Sequence, residues 1–283
     1  MADREHHEAA ALIGYTDPDR VSPEAAEAAA TRLCAPTKNG PKGWGTGIGA
    51  VNDSLLAAVL SVDERIACIE MLMSNAASPW EGSSNRDSYL VAASNLVDDL
   101  DEEHRRQFFG AALGFAAHPP LSQVDAFNAS MRNPLGSMRI NDRSDSRPAA
   151  AFLAARLANS PEERRLVRDS ALRLIGVGTD EDYRVTTALQ VVQAELGDSA
   201  ALLAQGGWTL RSLAAILWAK STDLPKELGM TLSQDIDVRV RRTLARELRD
   251  KDDERSTDIR AVLEADPRWS VRSIARSRDS QGD

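Results

Sequence analysis

One phrase recurs along the second half of the chain, and its recurrence limits the available folds more than any other feature. Trp208-Thr209-Leu210-Arg211-Ser212-Leu213-Ala214 matches Trp269-Ser270-Val271-Arg272-Ser273-Ile274-Ala275 position by position, identically or conservatively. Between them, Val238-Arg239-Val240-Arg241-Arg242-Thr243-Leu244-Ala245 repeats the phrase with one extra residue, and Tyr183-Arg184-Val185-Thr186 opens the series. Aligned on Val185, Leu210, Val240 and Val271, the steps are 25, 30 and 31 residues. Periods of that size mean stacked helical units, each burying one face against its neighbour. A second similarity, at an offset of 59, links Glu103-His104-Arg105-Arg106 through Ala112-Leu113 to Glu162-Glu163-Arg164-Arg165 through Ala171-Leu172.

Composition agrees with helices. Of 283 residues, 43 are Ala and only 5% are aromatic. Alanine is the best helix former and allows close packing. No stretch alternates apolar and polar for long, which excludes an all-β fold. The 29 Arg against 5 Lys, with the alanine bias, point to a GC-rich, bacterial coding sequence.

Helix starts are legible. Ser22-Pro23-Glu24 and Ser160-Pro161-Glu162-Glu163 place serine at the N-cap, proline at the first helical position and acids in the first turn. Ser61-Val62-Asp63-Glu64 reads as a capping box. Asp87, Asp101, Asp180, Asp235 and Asp266 are read as opening further helices. The pattern predicts helices near 5–14, 22–34, 49–60, 62–75, 87–99, 102–117, 148–159, 161–175, 181–196, 208–220, 237–249, 256–264 and 268–277. Residues 35–47 form a Pro/Gly loop, and 118–147 hold three prolines and little periodicity. The expected organisation is an acidic helical region over 1–117, an irregular connection over 118–147 and a repeat region over 148–283.

Here the chain resembles a known family. Asp235 and Asp266 each precede an arginine, Arg241 and Arg272, by six residues, with Val240 and Val271 just before the arginine. That spacing resembles the HEAT repeat, in which such residues hydrogen-bond between successive repeats as a structural ladder. The short period is also similar to variant leucine-rich and phycobilisome-lyase-type HEAT units. The resemblance covers 180–278 best, extends to 87–175 and is weak before that. Thr186 and Gln205 depart from it, each replacing one ladder partner. It implies an all-α chain: an α-solenoid of stacked antiparallel helix pairs with an irregular segment near its middle. It also implies a protein that binds other macromolecules, since only a minority of HEAT-like proteins are enzymes.

Charge narrows the partners. The net charge is −9, with 10 basic against 19 acidic residues over 1–134, and 24 against 24 over 135–283. Phosphate contacts need a basic footprint, so nucleic acid is not favoured. No segment approaches eighteen apolar residues, and the charged start is unlike a signal peptide, so a cytoplasmic protein without a membrane span is expected. Two cysteines, Cys34 and Cys68, fall short of a disulfide framework and read as reduced, buried thiols.

Candidate chemistry is sparse. The cluster Gly40 to Gly49 lacks both a leading strand and the Gly-Lys-Ser/Thr ending of a phosphate loop, so it reads as a loop with Trp44 tucked onto the body. His6, His7, His104 and His118 lack metal-ligand spacing, and no metal or cofactor is expected. The run Asp98-Asp99-Asp101-Glu102-Glu103 spans a helix junction, where acids favour the next helix dipole. No nucleophile motif is present. Trp208 and Trp269 share one repeat position and are expected to be inter-repeat core, and Trp218 to be packing.

The sharpest surface is a stripe. Arg239, Arg242, Arg246 and Arg249 recur at steps of three, four and three, which places them on one helix face. Glu247, Asp250 and Asp252-Asp253-Glu254 lie close enough in sequence to neutralise part of it. The stripe reads first as a solvated, internally balanced face, and otherwise as a docking surface for an acidic protein segment or a phosphate backbone. The leading expectation is a non-catalytic repeat scaffold that holds a protein partner on one exposed face. The alternatives are a DNA-binding HEAT-like protein or HEAT-like DNA glycosylase with a local basic groove, and an enzyme seated in 35–134.

Overall fold

The computed structural model describes residues 61–123, 125–126, 145–175 and 181–277. Every regular element among them is helical, so the described part of the chain is all-α. No helix among the described residues is long and apolar enough to cross a membrane. Two compact units form, Met1–Ala171 and Leu172–Asp283.

In the first unit, α1 (Val62–Ala77), α2 (Ser83–Ser94), α3 (Glu102–Ala117), α4 (Arg147–Leu157) and α5 (Pro161–Leu172) follow in order. Helix α4 packs on both α2 and α3, so the helices either side of the irregular connection meet. Its Ala149, Ala150, Ala151, Ala154 and Ala155 are buried together with Leu153 and Leu157, which lets neighbouring backbones approach closely. Three predicted caps are in place. Ser61 and Glu64 cap each other reciprocally, with the Ser61 amide 2.9 Å from Glu64 Oε2. Asp101 accepts the His104 amide at 3.0 Å, and Ser160 accepts the Glu163 amide at 3.1 Å. Asp87 is not a cap: α2 begins at Ser83 after Gly82 and ends at Ser94. The helices predicted at 5–14, 22–34 and 49–60 lie outside the described residues, as do the loop 35–47, Trp44 and His6–His7.

Cys68 corrects the thiol expectation. It is buried in α1, but it is disulfide-bonded, and no cysteine among the described residues is free. The other cysteine, Cys34, lies outside the described residues. Counting cysteines against a multi-bridge framework does not exclude a single cross-link.

In the second unit, α6 (Glu181–Val191) is followed by 3-10 turns at Gln193–Glu195 and Gly197–Ser199 and by α7 (Ala200–Leu203). Then come α8 (Trp208–Lys220), α9 (Lys226–Ser233), α10 (Val238–Leu248), α11 (Glu254–Glu264) and α12 (Trp269–Arg276). Helices α6, α8, α10 and α12, which carry the recurring phrase, pack each on the next. Helices α7, α9 and α11 lie between them in sequence and pack against the same series. Val185, Leu210, Val240 and Val271, one position of the phrase, are all fully buried. Leu244 is buried too, whereas Ile274 is half-buried on α12.

Two expectations fail here. Asp235 and Asp266 do not cap α10 and α12, whose N-caps are Asp237 and Arg268. Trp208 and Trp269 are not core: they occupy the first helical position and are 38% and 73% exposed. That position precedes the buried strip begun by Leu210 and Val271, so the indole leaves the inward face. Trp218 is packing as expected, at 1% exposure.

Candidate functional site

A line of arginines joins successive helices of the second unit. Arg211 on α8 donates from Nε to Asp235 Oδ2 at 2.7 Å and from Nη2 to Oδ1 at 3.1 Å. Its Nη1 reaches back to the Gly206 carbonyl at 2.8 Å. Arg241 on α10 repeats both contacts, donating to Asp266 at 2.6 Å and to the Asp235 carbonyl. Each carboxylate also accepts the amide two residues on, Asp237 or Arg268, at 2.7 Å. The six-residue Asp–Arg pairs therefore meet only through the aspartate carbonyl, and each carboxylate takes the arginine of the helix before. One step earlier, Thr186 and Thr209 share a hydrogen bond at 3.1 Å in place of an ion pair. Asp266→Ala should cost on the order of 1–3 kcal/mol, because the half-buried Arg241 loses its carboxylate. Chemical denaturation would read this, and an unchanged midpoint would count against a structural tie.

Two arginines of the first unit act similarly. Arg65 on α1 donates to the Asp98 carbonyl at 2.7 Å. Arg105 on α3 donates to the Leu157 carbonyl at 2.6 Å and to both Glu163 oxygens at 2.9 and 3.0 Å. Burial raises the Glu163 pKa, but Arg105 and the Asn159 and Ser160 amides outweigh it and leave it lowered. The Arg105 hydrogen bond holds Glu102 down to about 2.

The acidic run is thus a helix junction. Asp98 pairs with Arg156 at 2.9 Å, Asp99 turns the chain with φ of 60°, and Asp101 caps α3. Asp101 also lies 2.6 Å from His104 Nδ1, and that hydrogen bond raises the His104 pKa. A raised folded pKa means stability that is full below the unfolded value and lost as pH rises through the folded one. In Asp101→Asn, an NMR titration of His104 should move down toward the ordinary value. No movement would deny the pair.

The arginine stripe lies on α10 and just beyond. Arg239, Arg242 and Arg246 are exposed, while Arg249 caps the helix C-terminus and is half-buried, 3.3 Å from Asp250. Arg239 is held by Asp237 at 2.6 Å, and its guanidinium sits 3.7 Å over the Trp208 ring. Arg239 in turn holds the Asp237 carboxyl down to about 2. No hydrogen bond or ion pair among the described residues engages Arg242 or Arg246. Two of the expected neutralisers are otherwise engaged: Asp252 faces Arg260 at 3.5 Å, and Asp253 caps α11 through the Ser256 amide at 2.9 Å. At the positions aligned with Arg242, the adjoining helices carry Ser212 and Ser273, so neither offers a carboxylate there.

A cavity of about 550 Å³ lies at the C-terminal end of α8, lined in part by Trp218, Lys220, Lys226, Lys251 and Arg255. It gathers three of the five lysines. Its cations are largely spent on protein groups. Lys251 donates to the Ala219 carbonyl, Arg255 to the Ser221 and Trp218 carbonyls at 2.7 and 3.3 Å, and Lys226 pairs with Asp258. Burial lowers the Arg255 pKa. These groups close the end of α8, where cations complement the dipole. The sequence signal was faint, since Lys251 and Arg255 meet α8 some 30 residues away.

Among the described residues no group of His, Cys, Asp and Glu is arranged to hold a metal ion. No family model, curated protein or solved structure matches the chain.

Proposed function

We propose that residues 180–278 form a short HEAT-like α-solenoid whose α10 face holds an acidic segment of a protein partner. The carrying observation is that Arg242 and Arg246 stand exposed on one face with no hydrogen bond or ion pair among the described residues, while Arg211, Arg239, Arg241 and Arg260 of the same unit are all engaged. Two unpaired guanidinium groups on a packed helix favour carboxylates, which their planar forks take in pairs. The serial packing of α6, α8, α10 and α12 and the arginine–aspartate ties support the solenoid. The function needs no catalytic group and is that of a scaffold.

A labelled oligo-glutamate peptide should bind the full chain, and added salt should weaken it. Arg242→Glu with Arg246→Glu should reduce binding at least about tenfold, which is about 1.4 kcal/mol. Its melting should stay close to the parent's, since both side chains are exposed. Equal binding by the parent and the double variant would reduce the stripe to solvated surface.

A second reading, single-stranded nucleic acid, is favoured by exposed Trp208 and Trp269 on helices flanking the stripe, because aromatics beside arginines stack bases. An oligonucleotide that outcompetes oligo-glutamate would select this second reading.

A further inference from the structure

The arginine–aspartate series has a rung without its far half. Arg211 and Arg241 each reach back to a loop carbonyl and forward to a carboxylate. Arg272 on α12 makes the backward contact, donating from Nη1 to the Asp266 carbonyl at 2.5 Å. No carboxylate among the described residues meets its remaining nitrogens. Two neighbours share the deficit. Trp208 is partly covered by the Arg239 guanidinium from the helix ahead, whereas Trp269 is 73% exposed. Leu213 is fully buried, whereas its counterpart Ile274 is half-buried.

The chain itself supplies the template for what covers such a face. Helix α12 repeats the α8 surface through Trp269, Val271, Arg272 and Ile274, matching Trp208, Leu210, Arg211 and Leu213. On α8 that surface is met by α10, which brings Asp235 two residues before its N-cap and Arg239 in its first turn. We infer that the exposed side of α12 is a docking site for a helix of a second polypeptide. That helix carries an aspartate two residues before its N-cap and a cation in its first turn. The aspartate would take the forward edge of Arg272, the cation would cover Trp269, and apolar residues would complete the burial of Ile274. The inference rests on these contacts and is independent of the α10 stripe.

The test uses the full chain and a labelled synthetic peptide of residues 226–250, the chain's own α9–α10 segment. Anisotropy should report saturable binding. Arg272→Ala in the protein, or Asp235→Asn in the peptide, should weaken it about tenfold, whereas Arg242→Glu with Arg246→Glu in the protein should leave it unchanged. Because an isolated peptide of this length folds poorly, a second protein carries a copy of 226–250 joined after Ser277 by a flexible linker. Its melting temperature should exceed the parent's, and Arg272→Ala should remove the gain. Stabilisation of the fusion supports the site even if the free peptide does not bind. A fusion that gains nothing, or binding and gain indifferent to Arg272→Ala, overturns it.

Discussion

Val240→Asp is expected to destabilise the second unit by on the order of 4 kcal/mol, the cost of an unpaired carboxylate in a dry site. Val240 is fully buried on α10, which packs on α8 before it and α12 after it. The ladder arginines either side are already committed, Arg241 to Asp266 and Arg211 to Asp235. Val271→Asp, also fully buried, should cost several kcal/mol by the same mechanism. Urea titrations followed by circular dichroism would read both. A Val240→Asp midpoint equal to the parent's would remove the shared inward face on which the repeat depends.

Gly229→Ala is the second large effect, and here two forces oppose. Alanine in the middle of α9 gains about 1 kcal/mol of helix propensity. The added methyl, however, would stand 2.3 and 2.4 Å from the Trp218 ring atoms Cζ2 and Cε2. The indole has little room to yield: its Nε1–H donates to the Pro225 carbonyl at 2.8 Å, and the Arg255 guanidinium covers its face at 3.9 Å. Overpacking of a fixed ring costs about 3 kcal/mol and wins. The variant should melt lower and lose near-ultraviolet ellipticity. In a Trp218→Leu background the same substitution should cost little or stabilise. If Gly229→Ala lowers both proteins equally, the glycine is not there for the indole.

Local signals carried much of the fold. Ser61, Asp101 and Ser160 marked their helices because a cap and its amide lie three residues apart. The inward positions Val240 and Val271 followed from the recurring phrase. The helices α7 and α9 escaped because neither carries the recurring phrase, and α7 is only 4 residues long. The tryptophans misled because recurrence marks a shared environment without saying which one, and here it is a helix start facing solvent. Asp235 and Asp266 were expected to tie repeats to Arg241 and Arg272, but the partners of their carboxylates depend on how residues 24 and 25 positions apart are juxtaposed. Spacing within one unit carries no trace of that. The stripe was legible as a face. That Arg242 and Arg246 lack partners was not, because Asp252 and Asp253 look available until Arg260 and α11 claim them.

The arginine ties span one step each, and that has a kinetic consequence. Arg211 grips the loops before α8 and before α10, and nothing further; Arg241 does the same one step on. Restraint passes only between adjacent helices, so opening proceeds like a zip from whichever end holds fewest teeth. Helix α12 is held by one tie behind and a half-made one ahead, so hydrogen exchange should find its amides less protected than those of α10, and those of α10 less than those of α8. The unit should thus keep time along its length, its α12 end opening on a timescale at which α8 is still closed.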